Sequence, residues 1–360
     1  MVASGFCLRE RQILRDPKTS SSRDSVYLFV PRGTSASSHK VRVKDPHRVL
    51  VLYLYSTMPS LRLIKTLWGI EEPIGKTLFD SIRQEGYHGV EVIRLAWMDE
   101  KSAETLVKSL NDAKLSVVCQ IHTAGGFLRQ GEYVYCDEFN VESHVASFAE
   151  QLSECQDLIL KVHAGGFVNV HAGVDAWTQS EALSFLRACM DLMETVDFPV
   201  TFETHRQRLF CNPFQTRELL QIESLHSLRL NADLSHWYCA CERVFDPSTG
   251  RDAKWWPEVV QLLERHVAYI HARFGWAQGP QIADPSDPAC ETEKTLQMQV
   301  WHQLLEAMQK RDGGDCFVCP EYGPPPYLPV MPHTQEPVAS LAHAVSFTKG
   351  YIEGLFDEFM

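Results

Sequence analysis

The segment Phe198-Pro-Val-Thr-Phe-Glu203 is a short apolar run that ends on a side chain able to bind a metal, and this pattern recurs three times along the chain. The later segments are Leu228-Arg-Leu-Asn-Ala-Asp233, Val267-Ala-Tyr-Ile-His271 and Cys316-Phe-Val-Cys-Pro-Glu321. Buried strands that each end on a polar side chain are how a β/α barrel presents its active site. Two Glu, one Asp and one His are ligands suited to Mn²⁺, Mg²⁺, Co²⁺ or Zn²⁺. The four segments therefore indicate one divalent cation at the mouth of a barrel.

The rest of the chain, from about residue 60 onward, alternates short apolar runs with longer amphipathic segments. We count eight such pairs, with the fourth strand predicted at residues 157–162 and a loop predicted at Gly125-Gly126. Strands that alternate with helices form parallel sheets, and eight units over about 300 residues fit a closed barrel better than an open sheet. The predicted fold is α/β, a single-domain (β/α)8 TIM barrel over residues 60–355.

The charge is unevenly distributed. The formal net charge is −12, yet residues 1–48 contain ten Lys or Arg against four Asp or Glu, a local +6 that leaves −18 for the remainder. An acidic barrel disfavours nucleic acid as a partner. The basic, Ser-rich start resembles an organelle transit peptide, and the alternatives are a disordered extension or a gene-model artefact. We expect this extension to be poorly structured.

Location and partners are constrained only broadly. Eleven Cys without framework spacing are typical of reduced thiols in an intracellular protein. The most apolar run, residues 49–55, is far shorter than the roughly 20 residues that span a bilayer. We therefore expect an intracellular protein, cytoplasmic or organellar, with a small-molecule substrate and no membrane partner. Assembly into a homo-oligomer is left open.

The four segments resemble the xylose-isomerase-like TIM-barrel superfamily of sugar phosphate isomerases and epimerases. In its ketose 3-epimerases a metal is held by Glu, Asp, His and Glu on strands 5 to 8, which match Glu203, Asp233, His271 and Glu321 here. The family's Asp-x-x-His spacing appears as Asp233-Leu-Ser-His236, whose His usually contacts the substrate. One departure is Ala277, because the epimerases have an Arg at the corresponding position, six residues after the metal His.

The resemblance implies a metal-dependent isomerase or epimerase that acts on a small keto sugar or related polyol through a cis-enediolate. Glu203 and Glu321 are then the catalytic proton carriers as well as metal ligands. The predicted substrate-binding residues are His236, Arg206, Arg273, His122 and Glu91. His163, His171 and His205 are further candidates near predicted strand ends.

Three alternatives remain open. A dehydratase or lyase on an inositol-like keto sugar would use the same metal and the same proton abstraction. An endonuclease IV-like nuclease shares the four ligands, but it needs additional His ligands and an Asp-x-His after the seventh strand, which this chain lacks. A non-catalytic barrel would be expected to have lost at least one of the four ligands, and all four are present.

Overall fold

The structure, a computed structural model, describes residues 60–70, 72–93, 100–123, 125–129, 132–135, 139–312 and 314–358. The predicted extension over residues 1–48 lies outside this range.

Eight parallel strands close into a barrel, which confirms the predicted (β/α)8 TIM-barrel fold. Around the barrel the order is β1, β2, β3, β6, β7, β8, β9 and β10, which returns to β1. Two further strands, β4 and β5, pair with each other in antiparallel fashion. The strands are β1 (Leu61–Thr66), β2 (Gly89–Ile93), β3 (Ser116–His122), β4 (Gly125–Arg129), β5 (Glu132–Tyr135), β6 (Gly166–His171), β7 (Val200–Glu203), β8 (Leu230–Ala232), β9 (Val267–His271) and β10 (Cys316–Cys319).

Helices follow the barrel strands and cover their outer face. Among those that begin at a capping side chain, Asn140 accepts a hydrogen bond from Ser143 N, and Thr178 forms a capping box with Glu181. The helices are α1 (Lys76–Gln84), α2 (Glu100–Ala113), α3 (Val141–Ile159), α4 (Gln179–Met193), α5 (Pro213–Leu220), α6 (Ser235–Ala240), α7 (Trp256–His266), α8 (Glu291–Asp312) and α9 (Leu341–Asp357).

Alternation along the strands separates two apolar layers. In β3, Val117 and Cys119 pack into the main core between strands and helices, whereas Val118 belongs to a separate small cluster. Because successive side chains of a strand point to opposite faces, this small cluster lies inside the barrel. Its members are Ile64, Val118, Phe167, Tyr269 and Cys319. The same alternation brings polar side chains inward nearer the carboxyl ends of the strands.

Two local predictions are wrong. The fourth barrel strand is β6, not residues 157–162, because the apolar residues Leu158 and Ile159 extend the buried face of α3 instead. His171 is therefore the last residue of a strand rather than part of a loop. The predicted loop at Gly125-Gly126 begins strand β4.

Within the described residues, no helix combines sufficient length with sufficient apolar character to span a membrane.

Candidate metal centre and active site

The barrel brings the four predicted ligands together at one mouth. Glu203 and His271 end β7 and β9, while Asp233 and Glu321 follow β8 and β10 by one and two residues. All four are at most 5% exposed. Ligand atoms of Asp233, His271 and Glu321 lie within 4.8 Å of one another, and Glu203 Oε2 lies 3.6 Å from His271 Nδ1.

His271 is held in one orientation. Its Nε2 lies 2.9 Å from Glu91 Oε2. A carboxylate only accepts, so Nε2 carries a hydrogen, and Nδ1 is the nitrogen left to hold a second cation. That buried Nδ1 lies 3.2 Å from Glu321 Oε2 and makes no hydrogen bond among the described residues. A ring nitrogen facing carboxylate oxygens at this distance calls for a cation, which is a proton on Nδ1 or a metal ion in its place.

Glu91 lies inside the barrel, beneath the candidate metal site, rather than at the open mouth. Gln120 Nε2 donates to its Oε1, and the Tyr269 hydroxyl donates to its Oε2 at 2.5 Å. Asn169 Nδ2 lies 3.4 Å from Oε1. Since both oxygens are engaged and the residue is fully buried, this geometry gives Glu91 the place of a partner that orients His271.

Arg273 lies between two of the predicted ligands. Its Nη2 donates to Asp233 Oδ2, and its Nη1 lies 3.1 Å from Glu321 Oε2. Its Nε donates to Ser235 Oγ at 3.2 Å, and Ser235 in turn donates to Asp233 Oδ1. The guanidinium thus fixes both carboxylates, and each carboxylate has further lone pairs that a metal can use.

Glu203 is held by two amides. Asn169 Nδ2 and Asn231 Nδ2 donate to its Oε2 at 2.6 and 3.2 Å. Burial favours the neutral carboxyl, but the neighbouring His171 and His271 outweigh burial and hold the pKa of Glu203 well below its usual value. Glu321 is also buried, and His271 and Arg273 lower its pKa. Both groups are therefore carboxylates at neutral pH.

The remaining charge is unbalanced. Four carboxylates, those of Glu91, Glu203, Asp233 and Glu321, surround one guanidinium in a site that is almost fully buried. Burial raises the pKa of Asp233 to about 7 although Arg273 opposes it. Burial lowers the pKa of His271, but Glu321, Glu91 and Glu203 raise it well above its usual value. A divalent cation at this position would offset the excess negative charge, so the residues present fit one.

Histidine rings line one side of the mouth. His122 and His171 have ring centroids 4.3 Å apart, His171 and His205 4.8 Å, and His205 and His236 3.7 Å. His236 Nε2 accepts from Arg273 Nη2 at 2.9 Å, so its Nδ1 carries the hydrogen and has no partner among the described residues. Burial holds the pKa values of His122, His205 and His236 well below the usual value, so these rings are neutral.

The loop after β10 covers the other side. Tyr327 lies under two guanidinium groups, since Arg206 and Arg273 are each 5.2 Å from its ring centroid. Trp68 meets the same ring edge-on at 4.8 Å. Four of the predicted substrate residues therefore lie around the barrel mouth, namely Arg206, Arg273, His236 and His122. Of the two arginines, Arg273 is the more deeply buried.

Several contributing residues did not emerge from sequence reasoning. Gln120, Asn169, Asn231 and Tyr269 bind the carboxylates of Glu91 and Glu203 from inside the barrel. Each is a polar residue within an otherwise apolar strand, and its inward register is the signal that could have revealed it. His171 was a candidate from the sequence, although the misplaced fourth strand did not place it at a strand end.

The chain is similar to known proteins in structure but not detectably in sequence. No family model and no curated protein matches the sequence. The structure matches 3-keto-D-glucoside 4-epimerase from E. coli with a TM-score of 0.51 at 10% identity, covering 82% of this chain and 100% of that one. It matches a xylose isomerase-like TIM-barrel protein from Mycobacterium smegmatis, in complex with magnesium, with a TM-score of 0.50 at 14% identity, covering 84% and 97%.

The chain has the xylose isomerase-like TIM-barrel fold. At these identities the matches show the fold alone. Within this xylose isomerase-like barrel, the assignment of metal ligands and catalytic groups rests on the geometry described above and remains a prediction.

Proposed function

We propose that this xylose isomerase-like barrel is a divalent-metal-dependent isomerase or epimerase that acts on a small keto sugar or a related polyol. The observation that carries the proposal is the state of His271. Its Nε2 is engaged by Glu91, and its buried Nδ1 faces the carboxylates of Glu203 and Glu321 with no hydrogen bond to any residue that the structure describes. This is how a metal-ligating histidine is normally oriented.

The ligands would be Glu203, Asp233, His271 and Glu321, and the ion would be Mn²⁺, Mg²⁺, Co²⁺ or Zn²⁺. When bound, such an ion acts as a Lewis acid towards a carbonyl and an adjacent hydroxyl and acidifies the neighbouring C–H. Arg273 keeps two of the ligands, Asp233 and Glu321, in place by hydrogen bond and ion pair.

Glu203 and Glu321 are the proposed proton carriers. The pKa of each is lowered by neighbouring positive or protonatable groups, so each is ionised at neutral pH and has a free lone pair that can accept a proton. Removal of the proton beside the carbonyl by one carboxylate gives a cis-enediolate. The other carboxyl group, after taking up a proton from solvent, delivers it to the opposite face in epimerisation or to the neighbouring carbon in isomerisation.

Oxygen atoms of the substrate would be held by His236 and Arg206. His236 Nδ1 is a buried N–H without a partner among the described residues. It is therefore suited to bind the oxygen on which negative charge develops. Arg206 lies near the rim beside Tyr327 and would bind a more distant hydroxyl or anionic group.

The related folds support the substrate class. The E. coli structure is that of a 3-keto-D-glucoside 4-epimerase. A dehydratase is the second candidate, since loss of a hydroxyl from the same enediolate needs no additional ligand. Nothing in the geometry favours it over proton return.

The test is solvent exchange. The purified enzyme, supplied with Mn²⁺, is incubated in D₂O with a panel of keto sugars, and deuterium at the carbons beside the carbonyl is followed by NMR. We expect exchange with at least one sugar, lost in Glu203→Gln and Glu321→Gln and abolished by chelator. A product lighter by one water would indicate the dehydratase. Exchange that persists in both variants would overturn the proposed roles.

A further inference from the structure

We propose that the barrel mouth holds a second cation site, formed by His171, Glu203 and His205, beside the first. The proposal builds on the proposed function because the two sites share Glu203, which would bridge them. Its ligands come from the end of β6 and from the residues at and just after the end of β7.

The three side chains converge. One ligand atom from each of His171, Glu203 and His205 lies within 4.8 Å of the others. His171 Nε2 is 3.1 Å from Glu203 Oε2. The same oxygen lies 3.6 Å from His271 Nδ1, so Glu203 contacts two imidazole rings. A carboxylate in that position is the usual bridge of a two-metal site, where the ions are about 3.5–4 Å apart.

The tautomer of His205 makes its inner nitrogen a ligand. His205 Nδ1 lies 2.6 Å from the backbone carbonyl oxygen of Arg206. A carbonyl only accepts, so the ring hydrogen is on Nδ1 and the lone pair is on Nε2. His271 has the same arrangement, since one ring nitrogen faces a hydrogen-bond acceptor and the other is available as a ligand.

His171 supplies the second imidazole. Its Nε2 is buried and makes no hydrogen bond among the described residues, although it lies beside a carboxylate oxygen. The side chain is 10% exposed. His122, with its ring centroid 4.3 Å away, packs on the far side and also has a buried nitrogen, Nδ1, without a described partner.

The net charge of the barrel mouth is compatible with a second divalent ion. With one divalent ion bound and His271 therefore neutral, the four carboxylates of Glu91, Glu203, Asp233 and Glu321 and the Arg273 guanidinium would leave one negative charge among side chains that are at most 5% exposed. A second divalent ion would make the site net positive. Such a site would favour substrates with vicinal oxygens or an anionic group that reaches both ions.

The donor set also separates the two sites chemically. The first site offers three carboxylates and one imidazole, whereas the second offers two imidazoles and one shared carboxylate. Imidazole nitrogens favour Zn²⁺ over Mg²⁺. Zn²⁺ should therefore fill both sites, while Mg²⁺ should be restricted to the first.

The test is metal stoichiometry, measured on the full chain after stripping with chelator and dialysis against Zn²⁺ or Mg²⁺. We expect about two Zn²⁺ per wild-type chain and about one in His171→Ala and His205→Ala. His163→Ala is the matched control. His163 is exposed and precedes the first residue of β6, whereas His171 is the last residue of that strand. Thermal unfolding identifies any variant that has failed to fold. For wild type, anomalous diffraction at the zinc edge should show two peaks on either side of Glu203.

The outcomes separate this inference from the proposed function. One Zn²⁺ per chain, lost in Asp233→Asn and retained in both histidine variants, overturns the second site and leaves the first intact. One Zn²⁺ lost only in the histidine variants supports the second site and contradicts the first. A single anomalous peak beside Asp233 also overturns the inference.

Discussion

Glu91 Oε2 lies 2.9 Å from Nε2 of His271, and both side chains are fully buried inside the barrel. This contact joins β2 to β9 across the barrel interior and determines which nitrogen of His271 faces the carboxylates above it. The polar side chains buried beneath the candidate metal site, and not only the ligands themselves, therefore determine the geometry of that site.

Replacement of this partner should weaken metal binding without removing a ligand. In Glu91→Gln the carboxylate that accepts from His271 is lost, so the ring is no longer held with Nδ1 inward. We expect the metal affinity to fall about 10–100-fold, as is typical for such partners. Titration with Mn²⁺ measures it, and Glu104→Gln, on an exposed position of α2, is the control. Equal affinity in both variants would contradict the orienting role.

Arg273 should matter most when no metal is bound. Arg273→Met leaves Asp233 and Glu321 buried without their shared cation, and removal of one partner of a buried ion pair typically costs about 3–5 kcal/mol. We expect a loss of that order in urea unfolding with chelator present, and partial recovery with Mn²⁺. Arg265→Met, at an exposed position of α7, should change little. A variant as stable as wild type without metal would show that the ion pairs contribute nothing.

Gly323 maintains the covering loop after β10. A Cβ at this position would lie 2.1 Å from the Trp68 ring, and Gly323 also exchanges two hydrogen bonds with Gln281. Gly323→Ala should displace Trp68 and with it Tyr327, lower the free energy of unfolding by about 1–3 kcal/mol and raise KM. Gly250→Ala, where nothing lies within 4 Å, is the matched control. The packing argument fails if the two variants behave alike.

Replacement of Gly354 by Ala should stabilise the protein, in contrast to the replacement of Gly323. Gly354 is exposed within α9, and an added Cβ would meet nothing within 4 Å. Gly354→Ala should therefore raise the free energy of unfolding by about 0.5–1 kcal/mol. Gly86→Ala should lower it, because Gly86 has φ +89° just after α1. Urea denaturation of the two variants measures both signs, and a destabilising Gly354→Ala would contradict the description of α9.

The sequence was sufficient for the barrel and for the convergence of its last four strands, because an apolar run followed by a ligand residue is a local pattern. It was insufficient at β6, where Gly166, Asn169 and His171 dilute the β signal and the preceding helix ends in apolar residues. The partners of Glu91 and Glu203 come from distant strands, so only the closed barrel brings them together. No local pattern pairs Arg273 with Asp233.

The most direct test of the central claim is metal content by mass spectrometry on protein dialysed against Mn²⁺, for wild type beside Asp233→Asn and Glu321→Gln. We predict at least about one ion per wild-type chain and a loss of about one in each variant. His163→Ala should match wild type. No retained metal in wild type, or equal content in all four proteins, would contradict a centre built from Glu203, Asp233, His271 and Glu321.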